Sequence, residues 1–413
     1  MKPRLRILLM TGAALVLAAF LVLSQAGGRL SSYADYPGLP ERQEAEPIRA
    51  TIGSMGDLLI HETLLKAAAR PDGSYDFSPI FQHLSPYIQN LDLAVINYEG
   101  TVGAAAPYTG YPMFRSPASL AAATRAAGFN LALTANNHLN DGGSQGISRT
   151  LETLRGAGLL TLGTRLSATE PSWQLADLKG IKVGISSWTY GEWRSDGRRA
   201  VNGLPISQEQ TPLSNVFSYS QLEAYYALQE GEIKAMKEAG AEFIIAYLHW
   251  GAEYQLQSNQ WQKQIAARLA AMGVDALIGG HPHVIQPLEV ITAPDGHQMV
   301  CLYSMGNAVS DQRAAYGSHP GGHTEDGLLY TLTLLQDPEG KVTLESISYL
   351  PTWVNKTTLE GRRAFQIIPL DESRSWQGLF QNSGEESQAR ASLARTRAQL
   401  EGGFQAFREG YGR

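Results

Sequence analysis

The chain has 413 residues, 43% apolar and 17% charged, with a formal net charge of −6 and a pI near 5.9. This balance supports an ample core and excludes an intrinsically disordered protein, and a chain without a basic face is not a nucleic-acid binder. The single cysteine, Cys301, excludes an intramolecular disulfide and reads as a small buried residue in the apolar run Met299–Tyr303.

Lys2, Arg4 and Arg6 precede Ile7–Leu23, a stretch of 17 residues without a charge. A basic start followed by an apolar helix reads as a signal peptide or an uncleaved membrane anchor within residues 1–26. Its positive flank places the rest of the chain on the extracytoplasmic face. Residues 27–49, with Pro37, Pro40 and Pro47, read as a linker.

A folded domain is expected over residues 50–370. It opens on a short strand running into Asp57. Leu93–Asn97 is a strand that ends at Tyr98-Glu99-Gly100. Ser116–Gly128 is a helix, with Ser116 as cap, Pro117 at its first position and Gly128 as stop. Phe129–Thr134 is the next strand and delivers Asn136-Asn137-His138; Asp141 then caps a helix over Ser144–Gly158.

Strand Ile181–Ser187, helix Ser220–Gly240, strand Glu242–Leu248, helix Ser258–Gly273 and strand Val274–Ile278 come next. Strands separated by helices of this length imply βαβ units and a largely parallel sheet, hence an α/β fold. Later the helices vanish: Met299–Tyr303, Leu328–Leu335 and Val342–Tyr349 read as antiparallel strands that finish a sheet. Residues 371–413 form a tail, helical and solvated from Ser383 onward.

Ligands in α/β sheets gather outside the carboxyl ends of strands. At those ends stand Asp57 and His61, Glu99, Asn137 and His138, His249, and His281 and His283, so five of the nine histidines lie there. His281 and His283 flank Pro282. Proline biases its predecessor to extended geometry, and residues two apart in an extended segment point the same way. Carboxylate, imidazole and amide oxygen together suit Mn, Fe or Zn, and so many ligands imply a pair of divalent transition metals. Two such metals suit hydrolysis of a phosphoester, with His138 as the acid that protonates the leaving group. Each residue also has a structural reading. Asp57 is a candidate helix cap, Glu99 a turn carboxylate, Asn136-Asn137-His138 a turn, and His249 a core histidine beside Trp250. Arg115, Trp250, Glu253 and Asn307 are candidates for a substrate groove, with Tyr98, Phe114, Trp188, Tyr190 and Tyr254 near them in sequence.

Gly56-Asp57 with His61, Asn97-Tyr98-Glu99-Gly100, Asn136-Asn137-His138, His249-Trp250-Gly251 with Glu253-Tyr254, Gly280-His281-Pro282-His283 and Tyr303 with Gly306-Asn307 occur in that order. The series resembles the CapA-type capsule proteins, the bacterial poly-gamma-glutamate synthesis accessory proteins, over roughly residues 50–357. The resemblance implies a calcineurin-like metallophosphatase fold, a four-layer α-β-β-α sandwich. It implies Asp57 as bridging ligand and Glu99 at a position where those enzymes carry aspartate; Asn137-His138 match their Asn-His pair and His281 and His283 their final Gly-His-x-His, while His249 stands as a ligand on its place at a strand end. His61 lies four residues after Asp57, where the usual pattern has two. The resemblance further implies membrane association beside a polymer synthase. Two functions stand open: an exported dinuclear hydrolase acting on an anionic envelope polymer, and a membrane-anchored accessory protein that binds poly-gamma-glutamate without turning it over.

Overall fold

The computed structural model describes residues 46–317 and 320–412. The apolar segment at the N-terminus and most of the linker lie outside the described residues, and no described helix is long and apolar enough to cross a membrane.

The folded unit opens with β1 (Ile48–Leu59) and three short helices, α1 (Glu62–Ala68), α2 (Ser78–Phe81) and α3 (Ser85–Ile88). Strand and helix then alternate through β2 (Leu93–Glu99), α4 (Ser119–Ala127), β3 (Leu131–Leu133), α5 (Gly143–Gly156) and β4 (Leu160–Leu162). A second series runs through β5 (Trp173–Leu178), β6 (Ile181–Tyr190), β7 (Val216–Phe217), α6 (Leu222–Glu238), β8 (Phe243–His249), α7 (Gln260–Ala271) and β9 (Ala276–Gly280). β10 (Ile285–Thr292), β11 (Gln298–Met305), β12 (Asn307–Val309), β13 (Asp326–Gln336), β14 (Val342–Leu359) and β15 (Arg362–Pro369) lead to a long helix, α8 (Ser383–Gly410).

These strands form two principal sheets. The first has the order β15-β14-β13-β1-β2-β3-β4, with β12 beside β1; the second has the order β7-β6-β8-β9-β11-β10, with β5 beside β6. In the first, β1 to β4 are parallel, and β13, β14 and β15 return antiparallel on the other side of β1. In the second, β11 is parallel to β9, so Met299–Tyr303 extends the parallel series, and the antiparallel strands are β10 beside β11 and β5 beside β6.

Period-2 alternation assigns each strand's two faces. In β2, Val95 joins Ile52, Val183, Ile245 and Ile278 in a core shared by both sheets. Its neighbours Ala94 and Ile96 point the other way, against Leu64, Phe81 and Leu120 of the helices. In β8, Ile244 and Ala246 likewise pack on Ile233, Ile265 and Leu269 of α6 and α7. Each such side chain is fully buried or nearly so, which stabilises the fold by about 1.5–3 kcal/mol for each Val, Leu, Ile or Phe and by less for Ala94 and Ala246.

Three local expectations differ from the structure. Helix α4 begins at Ser119 because Ser116 pairs in a short strand with Val102 and its hydroxyl meets Tyr98 Oη at 2.9 Å. Helix α7 is capped by Asn259, whose side chain accepts from the Gln262 amide while Gln262 reaches back, a reciprocal box that Ser258 does not make. Helix α8 is no solvated appendage. Leu393, Leu400 and Phe404 are buried, and the last two belong to the core between the sheets.

Candidate metal centre

The carboxyl ends of strands from both sheets converge. Asp57 lies in β1 and Glu99 ends β2 of the first sheet; His249 ends β8 and His281 comes directly after β9 of the second. Asp57 therefore stands in a strand and caps no helix. It is fully buried, and its Oδ1 accepts from Asn97 Nδ2 at 2.7 Å while its Oδ2 lies 3.1 Å from His283 Nδ1. The close approach depends on glycine: a Cβ on Gly280 would lie 2.9 Å from Asp57 Oδ1, and one on Gly56 would lie 1.8 Å from the Gly306 carbonyl oxygen.

Two groups of potential ligands result. Asp57, Glu99 and His249 offer atoms within 4.8 Å of one another, as do Glu253, His281 and His283. Asp57 links the groups, since its two oxygens face His249 and His283. Asn137 lies at the same place, its Oδ1 accepting from His249 Nε2 at 2.8 Å.

Burial fixes the electrostatics. Glu99 is 3% exposed and neither of its carboxylate oxygens has a hydrogen-bond partner. Burial, then the charges of Asp57 and Glu253, push it well above the ordinary carboxylate range. Burial and the neighbouring imidazoles hold His249 and His281 well below the ordinary value, so both keep a lone pair to give. His283 behaves oppositely. Burial disfavours its charge, but Glu99 and the hydrogen bond and charge of Asp57 prevail and raise it to about 9. His281 Nδ1 is buried without a partner. Orphaned carboxylate and imidazole atoms at this depth cost free energy unless a cation satisfies them. The donor set of oxygen and nitrogen therefore fits a pair of divalent transition metals.

The histidine pair converges by a route other than the expected one. His281 and His283 have φ of +95° and +57°, so both occupy left-handed conformations that non-glycine residues rarely adopt. Backbone strain of this kind collects at functional sites. Tyr190 holds His281 through a 3.1 Å contact between its hydroxyl and Nε2.

His138 stands at the rim, 6% exposed. Its Nδ1 donates to Asp141 Oδ2 at 2.8 Å, and the same oxygen accepts from the Phe114 amide at 2.6 Å. Asp141 is thus an orienting partner and not a helix cap; Gly142 holds that position with no side-chain cap. His61 falls in neither ligand group, and its Nδ1 accepts from the Asp311 amide at 3.2 Å. Its ring packs edge-on against Phe114, which packs in turn against His138.

The residues expected to line a groove divide. Glu253 is exposed and joins the ligands. Asn307 is fully buried and orients His283, accepting from Nδ1 at 3.0 Å and donating to its carbonyl. Trp250 is fully buried, its Nε1 donating to the Tyr303 carbonyl, so it offers no surface to a substrate. Arg115 is exposed, and its Nε donates to Thr109 Oγ1. Tyr190, read with the groove residues, instead holds a ligand ring; Asn97 and Asp141 are site residues that the sequence did not single out as such, although they stand two and three positions from residues that it did.

Over residues 51–312 the sequence matches the family described as bacterial capsule synthesis protein PGA_cap. It is 26% identical over 271 residues to the capsule biosynthesis protein CapA of Bacillus anthracis, a match covering 64% of this chain and 60% of that one. It is 23% identical over 303 residues to the PGA biosynthesis protein CapA of Bacillus subtilis, covering 72% of this chain and 73% of that one. A probable polyglutamine synthesis accessory protein of Mycobacterium tuberculosis is 25% identical over 234 residues, covering 55% and 56%. Among solved structures, the chain is similar to the calcineurin-like phosphoesterase YfkN of Bacillus subtilis, with TM-score 0.40 and 15% identity over 85% of this chain and 98% of that one.

Proposed function

Because the chain belongs to the bacterial capsule synthesis protein PGA_cap family, we propose that it serves the synthesis or export of poly-gamma-glutamate or a related anionic envelope polymer as a metal-dependent hydrolase of the phosphoesterase type. Glu99 carries this reading: a carboxylate 3% exposed, with both oxygens unpartnered, beside Asp57 and His249. Asp57, Glu99 and His249, with the Asn137 amide oxygen, would hold one ion and Glu253, His281 and His283 the other. Bound there, two divalent transition metals (Mn, Fe or Zn) supply Lewis-acid chemistry and an acidified water.

The chain's own residues do the rest. Asp141 accepts from His138 Nδ1 and stabilises the imidazolium form, in which Nε2–H hands a proton to a leaving group and the neutral Nδ1–H tautomer remains. Tyr190 and Asn307 fix the two ligand rings. The two sheets share one core and carry helices on their other faces, an arrangement we read as the four-layer sandwich of the metallophosphatase type. Lys2, Arg4, Arg6 and the apolar run after them would tether the domain to the outer face of a membrane, beside polymer synthase subunits. Deleting residues 1–26 is then expected to move the protein from the membrane to the soluble fraction.

The mycobacterial relative's name, that of an accessory protein, favours a second reading, a polymer-binding subunit without turnover. One experiment separates the two. The full chain, purified in detergent without chelator, is analysed for metal and assayed on a generic phosphoester. About two equivalents of Mn, Fe or Zn are expected, lost in His281→Ala/His283→Ala. His138→Ala should keep the metal and lose turnover by about 10²–10⁴-fold. No metal after supplementation overturns the hydrolase; metal without any turnover leaves the accessory subunit.

A further inference from the structure

We propose that the groove between the α1–α2 segment and the β14–β15 hairpin is a second binding site, which grips a polymer of repeating carboxylates beside the metal centre. This rests on the reading of an anionic envelope polymer as the protein's ligand. The groove encloses about 720 Å³ and is bounded by Arg70, His83, Arg362 and Arg363, with Phe365 in its floor. None of these residues belongs to the ligand groups. β15 is an edge strand of the first sheet, so the hairpin forms one free wall.

The lining has two chemistries. Leu64, Ile80 and Phe365, each 5% exposed or less, make the floor apolar. Three guanidinium groups stand above it. Arg70 is paired with Asp76 at 2.6 Å, and Arg362 donates to the Ala69 carbonyl. Arg363 is exposed, and its side chain makes no ion pair or hydrogen bond among the described residues. Asp76 and Glu360 are the acidic lining residues, so cations outnumber anions here on a chain of net charge −6. A ligand that matches both chemistries presents methylenes to the floor and carboxylates to the arginines. Poly-gamma-glutamate has two backbone methylenes and one free carboxylate in each unit. A guanidinium meets a carboxylate through two parallel charge-assisted hydrogen bonds.

Contacts join the groove to the metal centre. Lys356 faces Phe365 across the β14–β15 ladder, with Nζ 5.3 Å from the ring centre. Thr358 faces Arg363 two residues further on, so Lys356 and Arg363 share one face of the sheet. They stand about 7 Å apart along the strand. Lys356 Nζ contacts both oxygens of Asp311 at 2.9 Å, and the Asp311 amide donates to His61 at the rim of the centre. A chain held by Arg363 therefore runs along this edge towards His61 and His138, and the groove holds the polymer while a unit further along reaches the metals.

The test uses the full chain in detergent and titrates it calorimetrically with poly-gamma-glutamate. Arg363→Glu should weaken binding about tenfold, and Arg363→Lys, which keeps the charge but not the two parallel hydrogen bonds, by less than that. Binding should persist in His281→Ala/His283→Ala, which separates the groove from the centre. Unchanged metal content in Arg363→Glu confirms its fold. Wild-type affinity in Arg363→Glu, or binding abolished by the double histidine change, overturns the groove and leaves the metal reading standing. Equal displacement by polyphosphate overturns carboxylates as the class recognised.

Discussion

Glu99 and His283 feel the same burial and answer it in opposite directions. Without a cation, Glu99 is pushed towards its neutral acid by burial and by Asp57, whereas His283 is raised to about 9 despite burial because Glu99 and Asp57 surround it. A histidine whose folded value exceeds its unfolded one contributes stability below about pH 6.5, and loses it as pH rises through about 9. Chelator-treated protein should therefore lose up to about 3 kcal/mol between those limits. Metal-loaded protein, which needs His283 neutral, should not lose it; melting temperature against pH, with and without chelator, reads the difference. Glu99→Gln removes a buried carboxylate and also one of the charges that raise His283, so metal-free wild type and variant each serve as their own reference. The wild type should gain about 2.7 kcal/mol at a metal concentration of 100 Kd, and the variant less than half of that. An equal gain in both would remove Glu99 from the ligands. At this scale the sequence showed residue types but not partners. Asn307 read as a substrate contact because its bond to His283 spans the β10–β11 strand pair, and Glu253 joins His281 only through the tertiary fold.

The elements were legible wherever local chemistry decides them. Gly128 ends α4 with φ of +116°, and the strands before Asn136 and His249 lie where alternation placed them. They were misread where a distant partner decides. Ser116 has the side chain of a helix cap, but its backbone pairs with Val102. Helix α8 shows the same limit. Its charged sequence reads as solvated, but Arg395 reaches Asp326, 2% exposed on β13, through hydrogen bonds of 2.7 and 2.6 Å. Removing one partner of a buried pair strands the other's charge, so Arg395→Ala should cost about 3 kcal/mol in urea denaturation. Asp326→Asn/Arg395→Ala should recover part of that loss, because no carboxylate is then left buried. A single-variant cost under about 0.5 kcal/mol, the usual effect of a surface change, would return α8 to the status of an appendage.

For the whole molecule, the alternation of strand and helix announced α/β architecture, but not which strands share a sheet. That partition depends on non-local pairing: β13 returns beside β1 from more than two hundred residues away, and β11 joins β9 in parallel. The partition matters because the centre lies across it. Asp57 and Glu99 belong to the first sheet, and His249, His281 and His283 stand at the ends of strands of the second, so ions bound by both sets would tie the sheets together at their carboxyl ends. The apolar core between the sheets holds them further down without any metal. Metal removal should therefore loosen the end and not the middle. In hydrogen–deuterium exchange, chelation should raise exchange in residues 136–142, 250–256 and 281–285. Amides of β1, β2, β8 and β9 that lie below those ends should keep their protection. Uniform acceleration across both sheets would mean that the core depends on the metal for its stability. No change at the strand ends would mean that Asp57 and its neighbours hold the sheets together without one.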